Sequence, residues 1–152
     1  MGRLPRLSIV VITFVVLTGG CSTMFSKGKG SKFETLEQER VDMEALVSDL
    51  ASLLGVDAGR LTATQRECAD PANDGKDRVD FNLVVSVDDA PGAATYGAVE
   101  QALHDRGWAT ERSTSATTED IFANRGDADL TVTAFQHPTR VSISGSTSCH
   151  RP

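Results

Sequence analysis

Aromatic side chains are scarce in this sequence: one tryptophan, one tyrosine and six phenylalanines in 152 residues. So few large rings could line only a small cavity, which argues against a capacious ligand pocket. Imidazoles are scarcer still. His104, His137 and His150 are the only histidines available to move a proton, and none stands in a catalytic pattern. His104 follows Glu100 by four residues and reads as a helix-surface pair. His137 precedes a proline in a turn, and His150 lies beside the carboxyl terminus. No serine occupies a G-x-S-x-G elbow, and H-E-x-x-H, P-loop and dinucleotide fingerprints are missing. The sequence therefore predicts no catalytic residue and no cofactor, and a protein that is not an enzyme.

Positive charge is also in short supply. Lys and Arg number 15 against 21 Asp and Glu, a formal charge of -6. Loss of residues 1–20 would remove Arg3 and Arg6 and no acid, leaving 13 basic against 21 acidic residues, or -8. Such a domain does not suit nucleic acid, where each phosphate contact wants a Lys or Arg. Metal-ligand spacing is absent as well. Cys149 and His150 are adjacent, and Asp70, Asp74, Asp77 and Asp80 lack the alternation and closing glutamate of a calcium loop. Arg125-Gly126-Asp127 matches a short adhesion tripeptide, but its glycine is explained by a hairpin turn.

Long hydrophobic runs are limited to one. Leu7 to Leu17 (LSIVVITFVVL) is apolar for eleven residues, preceded by Arg3 and Arg6, with no acid before Glu34. A helix crossing a bilayer takes about 20 apolar residues, so this run has the length of a signal-peptide core. Thr18, Gly19 and Gly20 then keep the chain small and extended up to Cys21. Leu17-Thr18-Gly19-Gly20-Cys21 resembles a bacterial lipobox, with the favoured leucine displaced to Leu17 and Thr18 in its usual place. The resemblance implies cleavage before Cys21 by signal peptidase II and a diacylglyceryl group on its thiol. At about 0.8 kcal/mol per buried methylene, two acyl chains hold a protein on a bilayer where one barely would. An ordinary secretory signal near a chance cysteine, or an uncleaved signal anchor, are the competing readings.

The expected organisation is a signal peptide over 1–20, a lipidated Gly/Ser/Lys-rich tether over 21–32, and a single globular α+β domain over 33–152. Thr35 and Gln38 have capping-box spacing, and Leu36, Met43, Leu46, Val47, Leu50, Leu53 and Leu54 make an apolar stripe ending at Gly55. Glu37, Glu39, Asp42, Glu44 and Asp49 read as a solvated acidic face. Residues 59–77 read as a polar connection. Val79, Phe81, Leu83, Val85 and Val87 alternate with mostly polar residues as a strand.

A second helix is expected from Asp89-Ala90-Pro91, with Tyr96, Val99, Ala102 and Leu103 inward and Gly107 as its stop. Trp108 reads as a core anchor opening the next strand. Glu119 to Asn124 either extends that strand or pairs with it across a turn. Alternating residues around Val132 and Ile143 give the last two strands. The order α, β, α, β, β, β predicts an α+β sandwich: a mostly antiparallel sheet of about four strands with both helices on one face. The other face is rich in Thr and Ser and is expected to meet water or a partner.

With Cys21 lipidated, Cys68 and Cys149 remain. In an oxidising compartment the pair predicts a disulfide, two free thiols being the alternative. The folded part is similar in layout to small actinobacterial lipoproteins of the mycobacterial LppA-like kind. The matching pieces are Arg60-Leu61-Thr62-Ala63-Thr64, Gly107 followed by Ala109-Thr110-Glu111, and Ile143-Ser144-Gly145 shortly before Cys149. The expectation is a lipid-anchored protein on the extracytoplasmic face of the cell membrane, a non-enzymatic binding or accessory module for an envelope protein or lipid. The alternative is a small-ligand or lipid carrier with a cavity between sheet and helices.

Overall fold

The computed structural model describes residues 33–152. The lipidation residue Cys21, the signal segment 1–20 and the tether 21–32 lie outside the described residues. Helix α1 runs Leu36–Leu53, followed by strands β1 (Thr62–Glu67) and β2 (Asp77–Ser86) and helix α2 (Ala93–Asp105). Four strands then follow in succession: β3 (Ala109–Thr114), β4 (Thr118–Arg125), β5 (Ala128–Gln136) and β6 (Thr139–Ser146). They form one antiparallel six-stranded sheet in the order β1-β2-β6-β5-β4-β3. The fold class is α+β, but the sheet has six strands where the sequence suggested about four.

Both additions have physical reasons. β1 reads Thr-Ala-Thr-Gln-Arg-Glu and is exposed on both faces, so it carries no hydrophobic alternation. Its pairing with β2 comes from the backbone, in a register running from Thr62 opposite Asn82 to Glu67 opposite Asp77. β4 is a separate strand because residues 115–117 turn the chain and set Thr114 opposite Glu119.

The caps follow sequence chemistry closely. The Thr35 hydroxyl accepts from the Gln38 amide N–H, and the Gln38 side chain accepts in return from the Thr35 N–H. Gly55 ends α1 at φ 70° and Gly107 follows α2 at φ 80°, a left-handed region that costs glycine no Cβ clash. Pro91 stands outside α2, whose N-cap is Gly92.

Along the sheet, Val79, Phe81, Leu83, Ile121, Leu130, Val132, Val141 and Ile143 point to one side and are buried. They join Met43, Leu46, Val47 and Leu50 of α1 and Tyr96, Val99 and Leu103 of α2 in one core. Leu53, expected in the stripe, is 42% exposed, and Ala51 takes the inward position.

Gly145 marks the tightest point of the sheet. It lies opposite Phe81 on one side and Leu130 on the other. A Cβ there would come within 2.3 Å of the Asp129 carbonyl oxygen and 2.9 Å of the Leu130 Cα. Backbone cannot yield as a side-chain tip can. Gly145→Val is expected to cost about 3 kcal/mol, with Gly145→Ala intermediate. Urea unfolding of the three proteins checks this, and superimposable curves would refute it.

Candidate functional site

The chain's end is clasped to both its first helix and its first hairpin. Cys68, just beyond β1, is bonded to Cys149 across a sequence separation of 81. The expected disulfide is therefore present. Beside it, the N–H of Asp77 donates to the His150 carbonyl at 2.8 Å and the His150 N–H donates back at 2.9 Å. One step inward, the Val79 N–H donates to the Thr147 hydroxyl at 2.9 Å, and Thr147 N–H donates to the Val79 carbonyl at 3.0 Å.

Glu39 completes the clasp, and it is not on a solvated face. Its side chain is fully buried. One oxygen accepts from the Ser148 N–H at 3.0 Å and lies 2.7 Å from His150 Nε2, and the other accepts from the Ser148 hydroxyl at 3.2 Å. The helical period contained the signal. Glu39 lies three residues after Leu36 and four before Met43, in the one gap of the apolar stripe. A carboxylate buried there requires donors, and the carboxyl-terminal segment supplies them. Ser148 and His150 both turn to this carboxylate rather than to each other, so the trio fastens the chain's end to α1.

The remaining histidines and acids are spread out. His104 Nε2 is 2.7 Å from the Thr110 hydroxyl, while Glu100 pairs with Arg112 at 3.6 Å instead. His137 precedes Pro138 in the turn between β5 and β6. Asp70 caps a short 3-10 turn through the Ala72 N–H, Asp77 accepts from Gln65 and Asp80 pairs with Arg66 and Arg78. Among the described residues no three His, Cys, Asp or Glu side chains gather to hold a metal ion.

Two arginines brace the far half of the domain. Arg112 bonds Glu119 and lies 5.2 Å over the Tyr96 ring, and the Glu119 bond holds its guanidinium still more firmly protonated. Burial, followed by the nearby Glu119 and Asp120 charges, pushes the Tyr96 phenol up to about 12. Arg125 lies 4.7 Å over Trp108 and 5.1 Å over Phe33, and bonds Asp42 at 2.9 Å. Trp108 is thus the core anchor expected. The arginine of the Arg125-Gly126-Asp127 tripeptide is engaged within the domain, and Gly126, at φ 66°, makes the β4–β5 turn.

The sheet face turned away from the helices is open. Two parallel rows cross it: Asn82, Ser144, Thr131 and Phe122 in one, and Val84, Ser142, Thr133 and Asp120 in the other. Phe122 is 46% exposed and Val84 43%. Thr133 donates to Asp120 at 2.7 Å. No hydrogen bond from another described residue reaches the side chains of Asn82, Thr131, Ser142 or Ser144. Such a face can bind a ligand by displacing water alone.

On the flank, an open cleft of about 340 Å³ lies between α1 and the free strand β1, lined by Leu36, Glu37, Arg40, Ala63, Gln65 and Val79. Arg40 bonds both Glu37 and Glu44, and the Glu37 carboxyl is held below its ordinary value chiefly by that bond. No family model, curated protein or solved structure matches the chain.

Proposed function

We propose that this chain is a lipoprotein, cleaved before Cys21 and moored by acyl chains on that cysteine to the outer face of the cell membrane. Its folded domain then serves as a non-enzymatic binding module of the envelope. The proposal includes kinship with small actinobacterial lipoproteins of the LppA-like kind, on the fragments quoted above. The module reading rests on one observation: the open sheet face pairs exposed Phe122 and Val84 with side chains that have hydrogen-bonding capacity to spare. The Cys68–Cys149 bond supports the address, because such bonds persist outside the reducing cytoplasm. Trp108, Tyr96, Phe81 and Met43 fill the space between sheet and helices, which favours surface binding over carriage of a small ligand.

Cys21→Ser tests the mooring. The unchanged protein is expected in the membrane fraction with a diacylated amino terminus by intact mass, and the variant is expected uncleaved at that point and without acyl chains. Equal processing and equal mass shifts in both would remove the anchor. Photocrosslinking side chains at Phe122 and, as a control on the helix side, at the 53% exposed Val41 test the face. Adducts in intact cells are expected at residue 122 and not at residue 41.

A further inference from the structure

We propose that the open sheet face binds a neutral glycan strand, laid across β2, β6, β5 and β4 with one sugar ring on Phe122. This rests on the reading of the domain as a binding module and specifies what it binds.

Charge comes first. The chain is net acidic, yet the row from Asn82 to Phe122 carries no charge, and in the neighbouring row Asp120 is the single one. Asp120 accepts from Thr118 and Thr133, so its charge is already engaged. The charges bounding these rows are Glu111, exposed and directly opposite Phe122 on β3, Asp80, held between Arg66 and Arg78, Asp129, which accepts from Ser146, and Arg140. Arg140 lies over Phe135 at 4.1 Å and makes no ion pair with a described residue. A polyanion, whether nucleic acid, phosphate polymer or anionic headgroups, would meet the Asp120 and Glu111 carboxylates and no cation on these rows. Arg140, in the row beyond, is the one positive charge near them without an ion pair among the described residues.

Protein partners fit less well. The core of a protein interface is enriched in Tyr, Trp, Phe, Met and Arg and depleted in Ser. Here the two exposed apolar side chains stand at opposite ends of the patch with serine and threonine between them. Phe122 and Val84, each exposed to nearly half its area, add separate apolar footholds to the hydroxyl-bearing rows.

A neutral polyol matches each part. Hydroxyl and amide side chains both donate and accept, as sugar hydroxyls do, and three of the four groups in the first row hold that capacity unused. The phenyl face of Phe122 suits the C–H face of a pyranose. Strands lie about 4.8 Å apart, so the row from Asn82 to Phe122 extends about 14 Å, enough for a short oligosaccharide rather than one sugar.

The test titrates the full-length chain in detergent with chitohexaose and cellohexaose, with heparin as an anionic control, following backbone amide resonances. Shifts centred on Asn82, Phe122, Thr131 and Ser144 with either neutral sugar are expected. Phe122→Ala should weaken binding about tenfold or more, and near-isosteric Thr131→Val several-fold, both with unchanged thermal unfolding. No shift with either neutral sugar, shifts confined to other surfaces, a stronger response to heparin, or indifference to Phe122→Ala would overturn the glycan. A protein adduct captured at residue 122 would overturn the glycan while leaving the module reading intact, and failure of the Cys21→Ser test would leave the titration unaffected.

Discussion

Replacing Cys68 and Cys149 together by serine is expected to cost about 4 kcal/mol. The bond joins cysteines separated by 81 positions, and in the chain-entropy account such a loop restricts the unfolded chain by about that much. That is comparable with the whole stability of many domains of this size, about 5–15 kcal/mol. Urea unfolding with the bond intact and absent measures the difference. The double-serine protein should also show a larger m-value, because its unfolded chain exposes more surface. A midpoint unchanged within error would mean that the clasp is held by its hydrogen bonds and owes little to the covalent link.

Glu39→Ala is the second large effect. The substitution leaves the Ser148 N–H, the Ser148 hydroxyl and the His150 ring without their shared acceptor in a buried place. Each orphaned donor costs about 1–3 kcal/mol, and partial rehydration should limit the total to about 3 kcal/mol. Glu39→Gln keeps one acceptor oxygen but sets an amide among donors, so a loss of about 1–2 kcal/mol is expected. Hydrogen exchange at the Ser148 amide localises the effect. That amide should exchange much faster in Glu39→Ala, while amides of β4 and β5 hold their order relative to one another. Undiminished protection at Ser148 would show that another acceptor takes the carboxylate's place. Because the disulfide and Glu39 hold the same few residues, their losses should combine to less than their sum.

Much of this architecture is written locally. The capping box at Thr35, the glycines that stop both helices and the alternation from Val79 to Val85 each follow from a few neighbouring residues, and each forms where expected. β1 escaped because a strand exposed on both faces needs no pattern. Strand order escaped because the β2–β6 pairing joins segments far apart in the chain, and nothing local records which distant edge will meet. The disulfide was legible from cysteine count, but the clasp around it was not. Glu39 looked like one more acid on a helix rich in them, although its place in the apolar stripe marked it as inward. The hydroxyl-rich face was visible as composition, and only the register assembled Asn82, Ser144, Thr131 and Phe122 from four strands into one row.

The position of the clasp bears on how the domain would carry mechanical load. In a chain moored from its amino-terminal side, a pull enters at Phe33 and reaches α1 first. A helix loaded at its end unzips one turn at a time, at low force. Here the first turn of α1 is fastened through Glu39 to Ser148 and His150, and the covalent bond next to them passes the strain to Cys68 and the start of the sheet. Tension entering there would be shared by these hydrogen bonds and the disulfide, which would have to give way before the helix could peel.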